Sequence, residues 1–212
     1  MSLPLTKTTL SFCLGKGRLS IRGSKRRPWL EITRSELEGR YLSYQLFSLR
    51  RNAGGPFDDV RNTLAGRGFY DSERIKFTAE GIEQAYALLY PRDQRLITQK
   101  VLDLVGVPGL AALWLDQGKI NSSKRGSLRG KYSLDELNLL KKAFKSHGIA
   151  CGYSPLIGGS LLFNQEAMKA LKALLAPHTH YSMRTKLMLR RPRSSRGSKP
   201  AAHQPEQLLR QC

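Results

Sequence analysis

Leu110-Ala111-Ala112-Leu113-Trp114-Leu115-Asp116-Gln117-Gly118 is a short apolar run that ends on a glycine. The chain holds a second run of the same kind, Leu10-Ser11-Phe12-Cys13-Leu14-Gly15-Lys16-Gly17. Each reads as a buried helix closed by glycine, the residue best able to leave helical geometry. Ser11, Ala111 and Ala112 are small enough to let two such helix backbones approach closely. The residues just before the closing glycines are Lys16 and Gln117.

Basic strands follow each run. Residues 18–22 alternate, with Leu19 and Ile21 on one face and Arg18, Ser20 and Arg22 on the other. A turn over 23–28, carrying Lys25, Arg26 and Arg27, leads to a second strand over 29–33. Ser35 is expected to cap a helix over 36–49, with Leu37, Tyr41, Leu42 and Tyr44 as its buried stripe. Residues 50–56 end that helix. Arg74-Ile75-Lys76-Phe77 repeats the alternation, and a helix over 80–89 is stopped by Pro91. Residues 96–105 read as helical, and Gly106-Val107-Pro108-Gly109 breaks the chain before the second run.

Past Gly118 the pattern returns. Residues 119–132 form a shorter basic hairpin with Lys119, Lys124, Arg125, Arg129 and Lys131, and Ser133 with Glu136 makes a capping box for a helix over 134–147. Strands are expected over 149–153 and 160–163, then a helix over 165–175 closed by Pro177. This order is an internal duplication, with Gly17 and Gly118 at equivalent points. The units are residues 1–105, 106–189 and a basic tail over 190–212. In the tail Arg190, Arg191, Arg193, Arg196 and Lys199 sit among Pro, Ser and Gly without periodicity, a composition that stays disordered until a partner orders it. Trp29 and Trp114 read as core.

Bulk composition narrows the function. Hydrophobic residues make up 40% of 212, enough for one shared core. A formal charge of +20, from 36 basic and 16 acidic residues, points to a polyanionic partner that relieves self-repulsion. No apolar stretch approaches the roughly 18–20 residues needed to span a bilayer, so no membrane partner is expected. Cys13, Cys151 and Cys212 have no paired spacing and form no zinc pattern with His147, His178 and His180, so the thiols read as reduced and no metal is expected. The first dozen residues are basic and hydroxyl-rich, but they run into the first helix too soon to read as a presequence.

The two glycine-closed runs resemble the signature helix of the LAGLIDADG homing endonucleases. Residues 110–118 are similar to that family's Leu-Ala-x-Trp-Phe-x-Asp-Asp-Gly form. Residues 133–144 followed by Gly148-Ile149 are similar to its Ser-Phe-Ser, helix, Phe-Gly-Ile segment. Residues 177–187 are similar to its closing Pro-Tyr-Ile-His-Pro-Ser-Met-x-Tyr-Lys-Leu. In the first half Leu14-Gly15-Lys16-Gly17, residues 27–34 and Tyr41-Leu42 carry the likeness, which spans about residues 5–189. The resemblance implies an α+β monomer of two pseudo-symmetric αββαββα repeats, with the signature helices packed at the centre and eight strands forming a saddle in a nucleic-acid groove.

The family's catalytic acids precede the closing glycines, where they hold divalent ions against the scissile phosphates. Here those positions are Lys16, whose ammonium repels a cation, and Gln117, a neutral amide. Asp116 is the nearest acid, but its place on the helix is turned by about 100°. The expectation is therefore a non-enzyme with no cofactor. Its nucleic-acid contacts are expected from Lys16, Arg18, Arg22, Lys25, Arg26, Arg27, Arg74, Lys76, Lys119, Lys124, Arg125, Arg129, Lys131, Lys186, Arg190, Arg191, Arg193 and Arg196. RNA, as ribosomal or intron RNA, is favoured as partner, with ribosomal proteins beside it and an organelle as location, the mitochondrion ahead of the chloroplast. The alternatives are a homing endonuclease cleaving double-stranded DNA and a DNA-binding regulator.

Overall fold

The fold is described from a computed structural model, which covers residues 3–21, 27–64, 71–155 and 159–187. Helix α1 (Leu3–Leu14) leads into β1 (Arg18–Ile21) and β2 (Pro28–Ser35); a 3₁₀ turn, Glu36–Glu38, opens α2 (Gly39–Ala53). Then come β3 (Phe57–Leu64), β4 (Ser72–Ala79) and α3 (Ile82–Leu89). Helix α4 (Gln99–Gln117) carries the chain into the second half. There β5 (Gly118–Ile120), β6 (Gly126–Arg129), α5 (Leu134–Ser146), β7 (Gly152–Ser154), β8 (Ser160–Phe163) and α6 (Gln165–Leu175) repeat the plan. The 3₁₀ turns Ala176–His178 and Tyr181–Leu187 follow.

The strands form two four-stranded antiparallel sheets with the same order, β1-β2-β4-β3 and β5-β6-β8-β7. The duplication expected from the two glycine-closed runs is thus present in the topology. Helices α1 and α4 pack against each other. Leu10, Cys13, Leu14, Leu110, Ala111 and Leu113 are buried at this seam. Each large apolar side chain taken from water contributes about 1.5–3 kcal/mol before chain entropy is subtracted. A Cβ at Gly15 would overlap the Asp116 carboxylate, so this glycine is needed for the close approach of the two helix ends.

Several elements differ from the sequence expectation. Helix α1 starts at Leu3 rather than Leu10, because Leu5, Thr6 and Thr9 are buried as well and Thr6 bonds to the Gly81 carbonyl at 3.3 Å. Ser35 makes no cap bond, and α2 starts only at Gly39. Its buried residues are Tyr41, Leu42, Gln45, Leu46, Leu49 and Ala53, whereas Leu37 and Tyr44 are exposed. Leu37 lies in the preceding 3₁₀ turn, and Tyr44 stacks on His180 with ring centroids 4.6 Å apart.

Strand β3 has no apolar alternation, since as an edge strand it buries neither face fully, and the sequence reading placed only its partner β4. The strand expected over 149–153 is β7, shifted to Gly152–Ser154 with Ile149 buried ahead of it. The break expected at residues 106–109 narrows to a kink at Gly106 (φ 54°, ψ −148°), after which α4 runs on to Gln117 through Pro108. The capping box of Ser133 and Glu136 is present. Among the described residues, no helix is long and apolar enough to cross a membrane.

Candidate nucleic-acid interface

The carboxyl ends of α1 and α4 meet, which brings together the residues that precede the two closing glycines. Helix α1 leaves carbonyl oxygens without intrahelical donors. Arg95 donates to the Cys13 carbonyl at 3.2 Å, and Gln117 Nε2 donates to the Leu14 and Gly15 carbonyls at 3.3 and 3.4 Å. The Oε1 of Gln117 accepts the hydroxyl of Tyr132. Burial raises the Tyr132 phenol, which keeps that proton in place. Gln117 therefore caps α1 with its amide and has its oxygen in use.

Asp116 is also engaged. Its Oδ2 accepts the Lys16 backbone N–H at 2.7 Å and Arg34 Nη2 at 3.0 Å, and its Oδ1 accepts Arg34 Nη1. Neither side chain of this pair has exposed surface. Arg34 reaches it because β2 turns Leu30, Ile32 and Arg34 to the core face. Its Nε donates to Gln45 Oε1 at 3.1 Å and its guanidinium lies 4.8 Å from the centre of the Tyr41 ring. Burial opposes the guanidinium charge, but Asp116 together with Tyr41 and Glu38 outweighs it and the Arg34 pKa is raised. The sequence reading missed Arg34; the available signal was a cation in phase with Leu30 and Ile32, which requires a buried acid.

Glu38 completes the cluster. Its carboxylate meets Lys16 Nζ at 3.2 Å, Lys186 Nζ at 3.1 Å and Arg34 Nη1 at 3.6 Å. Burial would raise its pKa, but Lys16, Lys186 and Arg34 together hold it below the usual carboxylate range. A depressed folded pKa stabilises the fold above the unfolded value and loses that contribution as pH falls through the folded one. Glu38→Gln should thus lower stability at neutral pH and flatten the acid limb of the stability–pH curve below about pH 4.5; an unchanged acid limb in urea titrations would refute the linkage.

The LAGLIDADG resemblance implies a divalent ion at these helix ends, and the residues present do not fit one. Lys16 brings an ammonium, the Gln117 oxygen accepts from Tyr132, and the Asp116 oxygens are taken by Arg34 and a backbone N–H. A hard cation needs free oxygen donors. Among the described residues, no group of three His, Cys, Asp or Glu side chains could hold a metal.

The other expected contact residues divide by half. In the first sheet Arg18 is exposed opposite Glu31, and Glu31 is opposite Lys76. Arg74 Nη1 lies 3.9 Å from Glu31, and Lys76 Nζ lies 4.3 Å from the centre of the Trp29 ring. Trp29 corrects its core assignment: it is half-buried on the outward face and donates to Ser20, while Trp114 is in the core, edge-on to Phe163. Arg27 is exposed just before β2.

In the second half Lys119 and Arg129 are exposed on β5 and β6, with Lys124 and Arg125 at the turn between these strands. Asn121 Oδ1 pins that turn by accepting the Arg125 N–H at 2.9 Å. Lys131 is exposed but lies beyond the end of β6, outside the strand alternation. Arg22, Lys25, Arg26, Arg190, Arg191, Arg193 and Arg196 lie outside the described residues.

The same fold recurs in solved structures. That of the homing endonuclease I-WcaI bound to its DNA recognition sequence is similar over 88% of this chain and 87% of that one, with a TM-score of 0.67 at 14% identity. I-DmoI in complex with DNA and Mn is similar over 85% of this chain and 99% of that one, with a TM-score of 0.55 at 13% identity. The N-terminal LAGLIDADG domain of DUF199/WhiA is similar over 85% and 84%, with a TM-score of 0.50 at 12% identity. No curated protein matches the chain. The model of the LAGLIDADG DNA endonuclease family matches residues 12–171. With that match across both sheets, the end of α1 and the whole of α4, the chain belongs to the LAGLIDADG DNA endonuclease family.

Proposed function

We propose that the chain is a nucleic-acid-binding protein that does not cleave its target, and that the target is structured RNA in a ribosomal or intron ribonucleoprotein. The observation that carries the reading is the state of the two helix ends, where Lys16 is paired with Glu38, Asp116 with Arg34, and Gln117 with Tyr132 and the α1 carbonyls. Loss of one carboxylate from a metal-dependent site already removes several kcal/mol of transition-state stabilisation, on the order of 3. The net charge of +20 supports a polyanion, and the Pro/Ser/Gly-rich basic tail supports RNA. The DNA-bound states of I-WcaI and I-DmoI support the second reading, a non-cleaving binder of duplex DNA.

Two measurements test this. Purified protein incubated with magnesium or manganese and a pool of randomised duplexes should leave them intact; specific double-strand cuts that vanish with a chelator would establish a nuclease. The native protein should sediment with a large particle that ribonuclease collapses. Association with DNA that ribonuclease leaves untouched would select the second reading.

A further inference from the structure

We propose that the second half carries the main phosphate-binding track, while the outward face of the first sheet contributes little net charge. The inference rests on the binding function just proposed. Two depressions, of about 710 Å³ over β5–β8 and about 580 Å³ at the end of α4, share Lys119, Ile120 and Arg129 as walls and so join into one trough. Arg125 stands at its outer end, and Lys186, already paired with Glu38 at 3.1 Å, at its inner end. Among the described residues, the only acid lining either depression is Asp116, whose oxygens are taken by Arg34 and the Lys16 N–H. No Asp or Glu occurs between Asp116 and Asp135 or between Glu136 and Glu166, so nothing in the second sheet opposes the cations.

The first sheet is built differently. Its outward face sets Glu31 and Asp58 among Arg18, Arg74 and Lys76. Arg74 pairs with Glu31 at 3.9 Å and Lys76 sits over Trp29, while the Arg61–Glu73 and Arg50–Asp59 pairs belong to the face of the buried Ile75 and Phe77. A cation already paired with a carboxylate must give up that partner to reach a phosphate, so it neutralises less phosphate charge and releases fewer counterions. The affinity of a polyanion site falls with salt in proportion to the phosphates neutralised. The two halves should therefore differ in salt dependence even where both touch the same ligand.

The test uses the full-length chain and two probes, a random-sequence DNA duplex and a pool of hairpin RNAs, with affinity followed against salt by fluorescence anisotropy. Lys119→Ala/Arg125→Ala/Arg129→Ala should reduce the slope of log K against log salt by about 2–3. Arg18→Ala/Arg74→Ala/Lys76→Ala should reduce it by less than about 1. Circular dichroism and urea unfolding check both variants, and the corresponding Gln substitutions, which keep more of the side-chain stem, replace any that fail to fold. Equal losses, or a larger loss from the first-sheet set, would overturn the inference and leave the binding function standing. Failure of the unaltered chain to bind either probe would overturn both.

Discussion

Asp116→Ala should destabilise the protein by about 3–5 kcal/mol, the cost of leaving a buried charge without its partner. Arg34 has no exposed surface through which water could replace the lost carboxylate, and its remaining contacts are the neutral Gln45 and Tyr41 ring and the Glu38 carboxylate at 3.6 Å, which is already shared with Lys16 and Lys186. The Lys16 backbone N–H loses its acceptor at the same time. Lys16→Ala is the contrast, because its side chain is 41% exposed and its bond to Glu38 is a surface pair worth about 0–1 kcal/mol. Arg34→Met with Asp116→Leu should recover most of the loss, since apolar groups of similar volume need no partner. Urea unfolding decides it: a single substitution at Asp116 costing under about 1 kcal/mol would mean that water or another group compensates Arg34.

Lys16→Asp combined with Gln117→Glu, which restores acids at the two family positions, should cost about 2–4 kcal/mol without added metal. The carboxylate placed at position 117 would face the Leu14 and Gly15 carbonyls where an amide now donates, and the one placed at position 16 would lie beside Glu38 without the Lys16 ammonium. Each change replaces attraction by repulsion. Calcium should then raise the melting temperature of the double variant by binding the folded form, and leave that of the unaltered chain in place. An unaltered chain that gains stability from millimolar calcium or magnesium would show that oxygen ligands remain at the helix ends.

The fold was legible wherever a local rule sufficed. The two glycine-closed runs, the alternation of Leu19 against Arg18, and the Ser133–Glu136 capping box each need only neighbours in sequence, whereas Ile21, read onto the apolar face with Leu19, is exposed. Strand β3 was not legible, because an edge strand exposed on both faces carries no periodic signal. Nor was the start of α1, where Thr6 and Thr9 are buried by tertiary contacts that no hydropathy pattern records. At the helix ends the replaced residues Lys16 and Gln117 could be read, but what they and Asp116 bond to could not. Arg34, Glu38 and Tyr132 reach the cluster from three other segments, and only Arg34 announced itself by falling in phase with apolar neighbours.

The Arg34–Asp116 pair also bears on the order in which the chain folds. The two residues are 82 positions apart, and the Lys16–Asp116 bond spans 100. Contacts of such separation close only after most of the loop entropy has been lost, so they form late. An interaction absent from the transition state leaves the refolding rate almost unchanged and appears in the unfolding rate. The pair therefore acts as a clasp on a finished structure: its strength sets how long the native state persists once formed, not how fast the chain finds it.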